Sequence, residues 1–299
     1  MCLNCWIKAL SSFLLLHLCV GVIYADVIYI RYPAASPLKT SELLTFERDL
    51  FHSFPRYSKK ADVVIVEPDA VAMSADREWL ELLSGDRVNV LISPLQPENK
   101  MHGVKVLPYP VMRGILGFRQ IVTTPDTLDK LSKVKSLKDI LAFSIGQPEG
   151  WLDFTVYSKN GFNMVAGRDI KSMLGMLEYG RFDLFPLGVI EVGQVFDRYV
   201  SKSTSLSVSE DTFIYYYHPM VLHVNETDTK LHSFLSGALQ KMLEDGTLDL
   251  LLERHYGQAL KKLNTTPSVV IRLRNPNIPI SMQRDDSEHL YPRIPELQQ

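Results

Sequence analysis

Cysteine is almost absent from this 299-residue chain, and its three cysteines, Cys2, Cys5 and Cys19, all lie within the first 25 residues. From residue 26 onward the sequence therefore has no thiolate for a disulfide, a metal site or a nucleophile. The formal net charge of −2 at pH 7 shows no basic excess, which argues against nucleic acid as a partner. A chain of this length buries one large or two medium cores without covalent cross-links.

Long apolar runs are also scarce, and the one that stands out is LSSFLLLHLCV at residues 10–20. It follows Lys8 and precedes the small residue Ala25, a pattern typical of a signal peptide cleaved between Ala25 and Asp26. A transmembrane anchor is the alternative, but such a helix needs about 20 apolar residues. Lipidation at Cys19 is disfavoured by the bulky Leu18 before it. We therefore expect an exported chain that begins at Asp26.

Residues 26–110 alternate short β-rich runs with helical patterns, which favours an α/β layer structure. The spacing of apolar residues predicts a helix over 41–52, with Ser41 as N-cap. The continuous apolar run at 61–66 predicts a strand buried on both faces of a parallel sheet. The other elements predicted here are strands at 26–31, 88–92 and 105–107 and a helix at 75–83.

A second α/β unit follows, opened by a long glycine-led strand at 114–124. Residues 212–224 read as one extended segment, and residues 231–255 read as a helix or a helix pair broken at Gly246. After residue 266 several prolines predict an arm without regular structure. The remaining predicted elements are helices at 136–140, 151–159 and 170–179 and strands at 142–146, 162–166 and 182–185.

Signatures of catalysis are missing from the sequence. It contains no G-x-S-x-G elbow, no P-loop and no dinucleotide-binding glycine pattern. His218 and His223 are five residues apart in an extended segment, so they would point to opposite faces and make a poor metal site. We read both as half-exposed sheet residues. We therefore expect no enzyme activity, no cofactor and no metal.

Two local segments indicate a binding site instead. In GQPEGWLD, residues 146–153, a strand leads into a helix, and ligands bind at such carboxyl ends of strands in open α/β sheets. Gln147, Trp151 and Asp153 are its candidate residues, although a capped turn with Trp151 in the core explains the segment equally well. In GRFDLFPLG, residues 180–188, Asp183 is expected to be structural at the start of a strand, and Glu191 just beyond is a further candidate.

The order of elements, together with four segments, resembles the type 2 periplasmic solute-binding proteins, in the group known as extracellular solute-binding protein family 3. The segments are GILGFRQIVTT, GQPEGWLDFTVYSKNGFNMV, SMLGMLEYGRFDLFP and FLSGALQKMLEDGTLDLLLERHYG. The resemblance implies a two-lobed α/β clamp that closes on a solute by hinge motion. Lobe one would comprise 26–117 and 215–270, lobe two 118–214, and a proline-rich arm 271–299.

The resemblance also implies where the site lies and where it departs from the family. Arg77, in Ser74-Ala75-Asp76-Arg77, is the nearest match to the arginine that holds a ligand carboxylate. The acidic residue that holds an ammonium falls on Gly188, and Leu187 stands where related sequences tend to have arginine. A standard α-amino acid ligand is therefore in doubt. The predicted ligand-binding residues are Tyr32, Arg77, Arg119, Gln147, Trp151, Asp153 and Glu191.

The function that follows from the resemblance is capture of a small polar solute in the periplasm, for uptake through a membrane permease or for presentation to a receptor. The protein would act as a monomer. A ligand-free or sensory adaptor and a periplasmic enzyme remain as alternatives.

Overall fold

The computed structural model describes residues 26–34, 41–68, 73–97, 101–200, 205–265 and 269–278. The predicted signal peptide at 1–25 and most of the predicted arm lie outside these residues. The strands are β1 (Asp26–Arg31), β2 (Ala61–Val66), β3 (Val90–Pro94), β4 (Val104–Val106), β5 (Phe118–Thr123), β6 (Ser144–Pro148), β7 (Asn163–Gly167), β8 (Phe185–Gly188), β9 (Ser207–Tyr215), β10 (Met220–Asn225) and β11 (Val269–Arg272). The helices are α1 (Ser41–Ser53), α2 (Ala75–Ser84), α3 (Pro125–Leu131), α4 (Leu137–Ile140), α5 (Leu152–Lys159), α6 (Ile170–Glu178), α7 (Val192–Tyr199), α8 (Thr229–Glu244) and α9 (Thr247–Thr265).

Strands β1 and β2 pair in parallel, with Ile30 opposite Ile65. The burial of β2 alternates along the strand, so Val64 and Val66 are exposed. The prediction that this run is buried on both faces is therefore wrong. One face of β2 packs on the core, and the apolar residues of its other face meet solvent.

The first apolar core forms around β1, β3 and β10, which α1, α8 and α9 cover. Strand β10 lies between β3 and β4 and is antiparallel to both. The helix pair predicted from Gly246 is present, because Gly246 has a φ of 76° between α8 and α9. This left-handed conformation suits glycine and ends the first helix of the pair.

A second set of apolar residues packs around β5 to β9, in two clusters separate from the first core. Strands β5 and β9 contribute side chains to both cores. Phe118 and Phe213 belong to the first core, and Ile121 and Ile214 belong to the second. A single sheet in the order β11-β9-β5-β8 contains them. The chain therefore has two apolar bodies joined through β5 and β9.

The segments that precede β5 and follow β9 approach each other closely at Gly117. This glycine ends the short 3-10 turn Ile115–Gly117, which occupies the start of the strand predicted at 114–124. A Cβ on Gly117 would lie 2.4 Å from the carbonyl oxygen of Tyr216 and 2.9 Å from the Tyr215 ring. Only glycine lets the two backbones pass this closely. The extended segment predicted at 212–224 likewise divides, because β9 ends at Tyr215 and β10 begins at Met220.

The chain after residue 266 differs from its prediction. Strand β11 pairs in parallel with β9, and Ile271 and Leu273 are buried in the second core. Asn275 continues the attachment by donating to the Tyr217 carbonyl at 2.8 Å. The prediction of no regular element here is wrong for Val269–Arg272, because no proline lies between Pro267 and Pro276 and a short strand fits between them.

The two histidines of the extended segment are also corrected. His218 and His223 are 6% and 0% exposed, so neither is a half-exposed sheet residue. His218 lies in the turn between β9 and β10, where strand alternation does not apply. Among the described residues no helix is both long and apolar enough to cross a membrane.

Candidate functional site

A buried arginine, Arg119, occupies the centre of the candidate site. It lies on β5, between β9 and β8, and only 3% of the residue is exposed. Its Nη2 lies 3.0 Å from Asp153 Oδ1, and its Nη1 lies 3.6 Å from Glu191 Oε2. Its guanidinium carbon lies 5.0 Å from the centre of the Tyr216 ring. The strands that join the two cores therefore carry a charged cluster.

Asp153, the second residue of α5, is the nearer partner of Arg119. Its Oδ1 also accepts a hydrogen bond from the Tyr216 hydroxyl. Burial raises the pKa of Asp153, but Arg119, His218 and the Tyr216 hydroxyl outweigh it and hold the pKa below its usual value. Burial disfavours the charged form of Arg119, yet Asp153, Tyr216 and Glu191 raise its pKa. The pair therefore stays ionised.

Glu191 closes the other side of the cluster through an unusual contact with Gly188. Its Oε2 accepts from the Gly188 backbone N–H at 2.9 Å, while its own N–H donates to the Gly188 carbonyl at 2.8 Å. Glu191 precedes α7, but its side chain does not cap that helix. Burial raises the pKa of Glu191, and Arg119 opposes the rise. Its side chain is 28% exposed, which makes it the most open carboxylate of the cluster.

Gln147 and Trp151 lie near the end of β6 and just before α5. Gln147 lies on β6 and is fully buried, and its side-chain N–H donates to the Pro186 carbonyl of β8 at 2.8 Å. Its Oε1 has no partner within the described part of the chain. Trp151 is half-buried at the start of α5 and packs against the core of the second lobe. Asp183 accepts from the backbone and hydroxyl of Ser144, which confirms its structural role.

The two lobe-one candidates lie elsewhere. Tyr32 is buried after β1, stacks on Phe51 with ring centres 4.5 Å apart, and donates to Glu67. Burial and the Glu67 carboxylate raise the pKa of Tyr32 to about 12. Arg77 lies in the first turn of α2, which Ser74 caps, and it pairs with Glu81 of its own helix. The structure therefore does not bring Arg77 into the charged cluster.

Sequence reasoning missed several residues of the cluster. Tyr216 and His218 belong to the run YYYHP, which reads as an extended segment. Outside the cluster, Glu47 of α1 is buried as well. After burial, Glu47 and, more weakly, Glu191 raise the pKa of Tyr256 on α9. Glu47 of the first lobe and Glu191 of the second therefore act on the same tyrosine.

The cluster carries more negative than positive charge. Burial and the nearby Arg119 lower the pKa of His218 to about 4, so it is neutral at pH 7. Burial raises the pKa of Tyr216 well above its usual value, so it is neutral too. One arginine thus faces two carboxylates, Asp153 and Glu191. Nowhere in the described ranges do three His, Cys, Asp or Glu side chains form a group that could hold a metal ion.

Comparison with known proteins identifies the fold. No protein-family model and no curated protein matches the sequence. Among solved structures, an ancestral arginine-binding protein bound to arginine aligns over 78% of this chain and 99% of its own, with a TM-score of 0.50 and 17% identity.

Two further solved structures give the same result. An arginine 3rd transport system periplasmic binding protein from Legionella pneumophila aligns over 78% of this chain and 100% of its own, at a TM-score of 0.50 and 16% identity. An ancestral amino acid-binding protein, described as a precursor of cyclohexadienyl dehydratase, aligns over 77% of this chain and 95% of its own. Its TM-score is 0.50 and its sequence identity is 16%. This chain therefore has the two-lobed α/β fold of the type 2 periplasmic solute-binding proteins.

Proposed function

We propose that this protein binds a small polar solute between its two lobes, reversibly and without chemistry. The observation that carries the proposal is the Arg119–Asp153–Glu191 cluster on and beside the strands that join the two cores. Burying three charged groups is costly, and most buried charges in proteins are explained either by pairing or by function. Asp153 already pairs with Arg119, so pairing does not explain why Glu191 lies there as well.

The position of the cluster supports a solute site. Glu191 is partly exposed while Arg119 is sealed beneath it, so the cluster meets solvent through a carboxylate. Trp151, half-buried at the start of α5, offers an apolar surface beside Asp153. Tyr256, on which Glu191 acts electrostatically, belongs to the first core. A clamp requires polar groups from both lobes, and Glu191 and Tyr256 are the pair that we assign to this role.

The predicted signal peptide places the proposed function in the periplasm. The similarity in fold to a periplasmic binding protein of an arginine transport system supports a role in uptake with a membrane permease. A ligand-free or sensory adaptor of the same fold is the second candidate. It is favoured by Leu187 and Gly188, which replace the side chains expected from the family.

An enzyme is a third candidate, because one protein of similar fold is described as the precursor of a dehydratase. In that case Asp153 and Glu191 would be its acid and base. Asp153 has a lowered pKa and Glu191 a raised one, the arrangement that separates acid from base in paired-carboxylate enzymes. Turnover of a bound solute, followed by mass spectrometry, would establish this alternative in place of simple binding.

A thermal-shift screen tests the proposal. The purified protein is melted in the presence of amino acids, amines, small carboxylates and sugars. A solute that binds the native state raises the melting temperature as its concentration rises. We expect at least one class to do so, and the shift to be lost in Trp151→Ala but kept in Glu210→Gln, an exposed residue of β9. If no class shifts the wild-type protein, solute binding is rejected in favour of the adaptor.

A further inference from the structure

We propose that the solute is a cation that carries no carboxylate, such as a diamine or a guanidino-amine, and that Glu191 receives its charged group. This inference rests on the solute-binding function proposed above and names the class of solute. Its basis is the juxtaposition of Arg119 on β5, Asp153 on α5, Gly188 on β8 and Glu191 just before α7.

Arg119 is already engaged by the protein's own carboxylates. One end of its guanidinium pairs with Asp153 at 3.0 Å, the other faces Glu191 at 3.6 Å, and 3% of the residue is exposed. A solute carboxylate that reached Arg119 would come to lie against two like charges. Arg77, the arginine that the family resemblance matches to a carboxylate anchor, pairs with Glu81 on its own helix. Neither predicted arginine is therefore available as a carboxylate anchor.

Glu191 supplies the carboxylate that position 188 lacks. Gly188 lies directly opposite Arg119 in the β5–β8 pair. A Cβ built on Gly188 would lie 2.5 Å from Glu191 Oε2 and 2.9 Å from its carboxyl carbon. The Glu191 carboxylate thus fills the space that a side chain at 188 would enter, and the Gly188 N–H fixes it there. A carboxylate from three positions later in the chain thus occupies the place of a side chain at 188.

The neighbouring groups favour a positive charge at this point. His218 and Tyr216 are neutral at pH 7, so Arg119 balances only one of the two carboxylates. The second, independent observation is Gln147, which is 0% exposed and whose Oε1 has no partner among the described residues. An unmet acceptor held against β8 suits an N–H donor rather than an anion.

Matched pairs of solutes test the class directly. Agmatine and arginine differ by the carboxylate alone, as do cadaverine and lysine. In calorimetric titrations of the purified protein, we expect agmatine or cadaverine to bind at least about tenfold more tightly than its amino acid, since like charges repel at short range. Arginine or lysine binding as tightly as the decarboxylated partner would overturn the proposal.

The outcomes separate this inference from the function on which it rests. If glutamate, succinate or a sugar binds while the amines do not, the solute class is wrong and solute binding stands. If nothing in the panel binds, solute binding itself fails.

A transposed carboxylate tests the role of Glu191. Glu191→Gln should weaken amine binding at least about tenfold, because a neutral amide replaces the charge that meets the cation. The double variant Glu191→Ala with Gly188→Asp restores a carboxylate to the same space from the other backbone position, and we expect it to recover affinity. Glu210→Gln, the same chemical change at an exposed residue, should bind as wild type. Unchanged binding in Glu191→Gln would overturn the assignment.

Discussion

Arg119 and Asp153 form an ion pair in which both side chains are buried from solvent. Breaking such a pair leaves one buried charge uncompensated, at a cost of about 3–5 kcal/mol, whereas replacing both partners by apolar residues costs far less. We therefore expect Arg119→Met to lower the free energy of unfolding by that amount. The double variant with Asp153→Leu should regain part of it, although the Tyr216 hydroxyl then loses its acceptor.

Urea denaturation of the two single variants, the double variant and wild type gives the coupling energy between the two residues. Losses below about 1 kcal/mol in both single variants would show that the pair is hydrated rather than buried.

Gly188 and Glu191 make a second prediction at the residue scale. The methyl group of Gly188→Ala would meet the Glu191 carboxylate, so we expect a loss of about 1–3 kcal/mol in the free energy of unfolding. Shortening the obstructing side chain in Gly188→Ala with Glu191→Ala should relieve the clash. The midpoints of urea unfolding measure both effects. A Gly188→Ala protein as stable as wild type would mean that Glu191 is free to leave this position.

The sequence identified Arg119, Asp153 and Glu191 as candidates but not their mutual pairing. Pairing depends on the register of β5 against β8 and on where α5 begins, and neither follows from local pattern. Tyr216 and His218 were missed for a related reason. Their surroundings depend on the end of β9 at Tyr215, a boundary that periodicity places only within a few residues.

At the scale of elements, β11 attaches Val269–Arg272 to the second lobe, although helix α9 of the first lobe precedes it in sequence. Ile271→Ala removes a buried side chain from that lobe, and such changes cost about 2–5 kcal/mol. We expect a lower unfolding midpoint for Ile271→Ala and little change for Arg274→Ala, whose residue is exposed. Equal midpoints for Ile271→Ala and wild type would show that β11 contributes nothing to the lobe.

Most helices and strands were predictable, because helical periodicity and β-branched runs mark them locally. Helix α1 and strand β2 are examples, and both begin at their predicted residues. The pairing of strands was not predictable, since the contacts that decide it are distant in sequence. The exposed face of β2 and the buried β11 are therefore the places where local pattern misled.

At the scale of the whole molecule, two buried histidines make stability depend on pH. Burial lowers the pKa of His218 and of His223 from 6.5 to about 4. Because the unfolded chain binds these protons at higher pH than the native one, stability is full above about pH 6.5 and falls as the pH approaches 4. Between about pH 7.5 and 4.5 each histidine should cost about 2–3 kcal/mol.

Urea unfolding of wild type and His223→Gln at both pH values isolates one of these contributions. The variant should lose less stability on acidification than wild type by the amount assigned to one histidine. Equal losses in the two proteins would mean that His223 is not buried in its neutral form.

Solute binding between the lobes is tested most directly by the fluorescence of Trp151. The three tryptophans are Trp6, Trp79 and Trp151, and Trp6 lies in the predicted signal peptide. In a Trp79→Phe protein lacking residues 1–25, Trp151 is the single tryptophan, half-buried two residues before Asp153, and excitation at about 295 nm selects it over the tyrosines. Titration with agmatine or cadaverine should change its emission to saturation at one solute per chain. Unchanged emission and an unchanged melting temperature with every solute class would contradict the binding function.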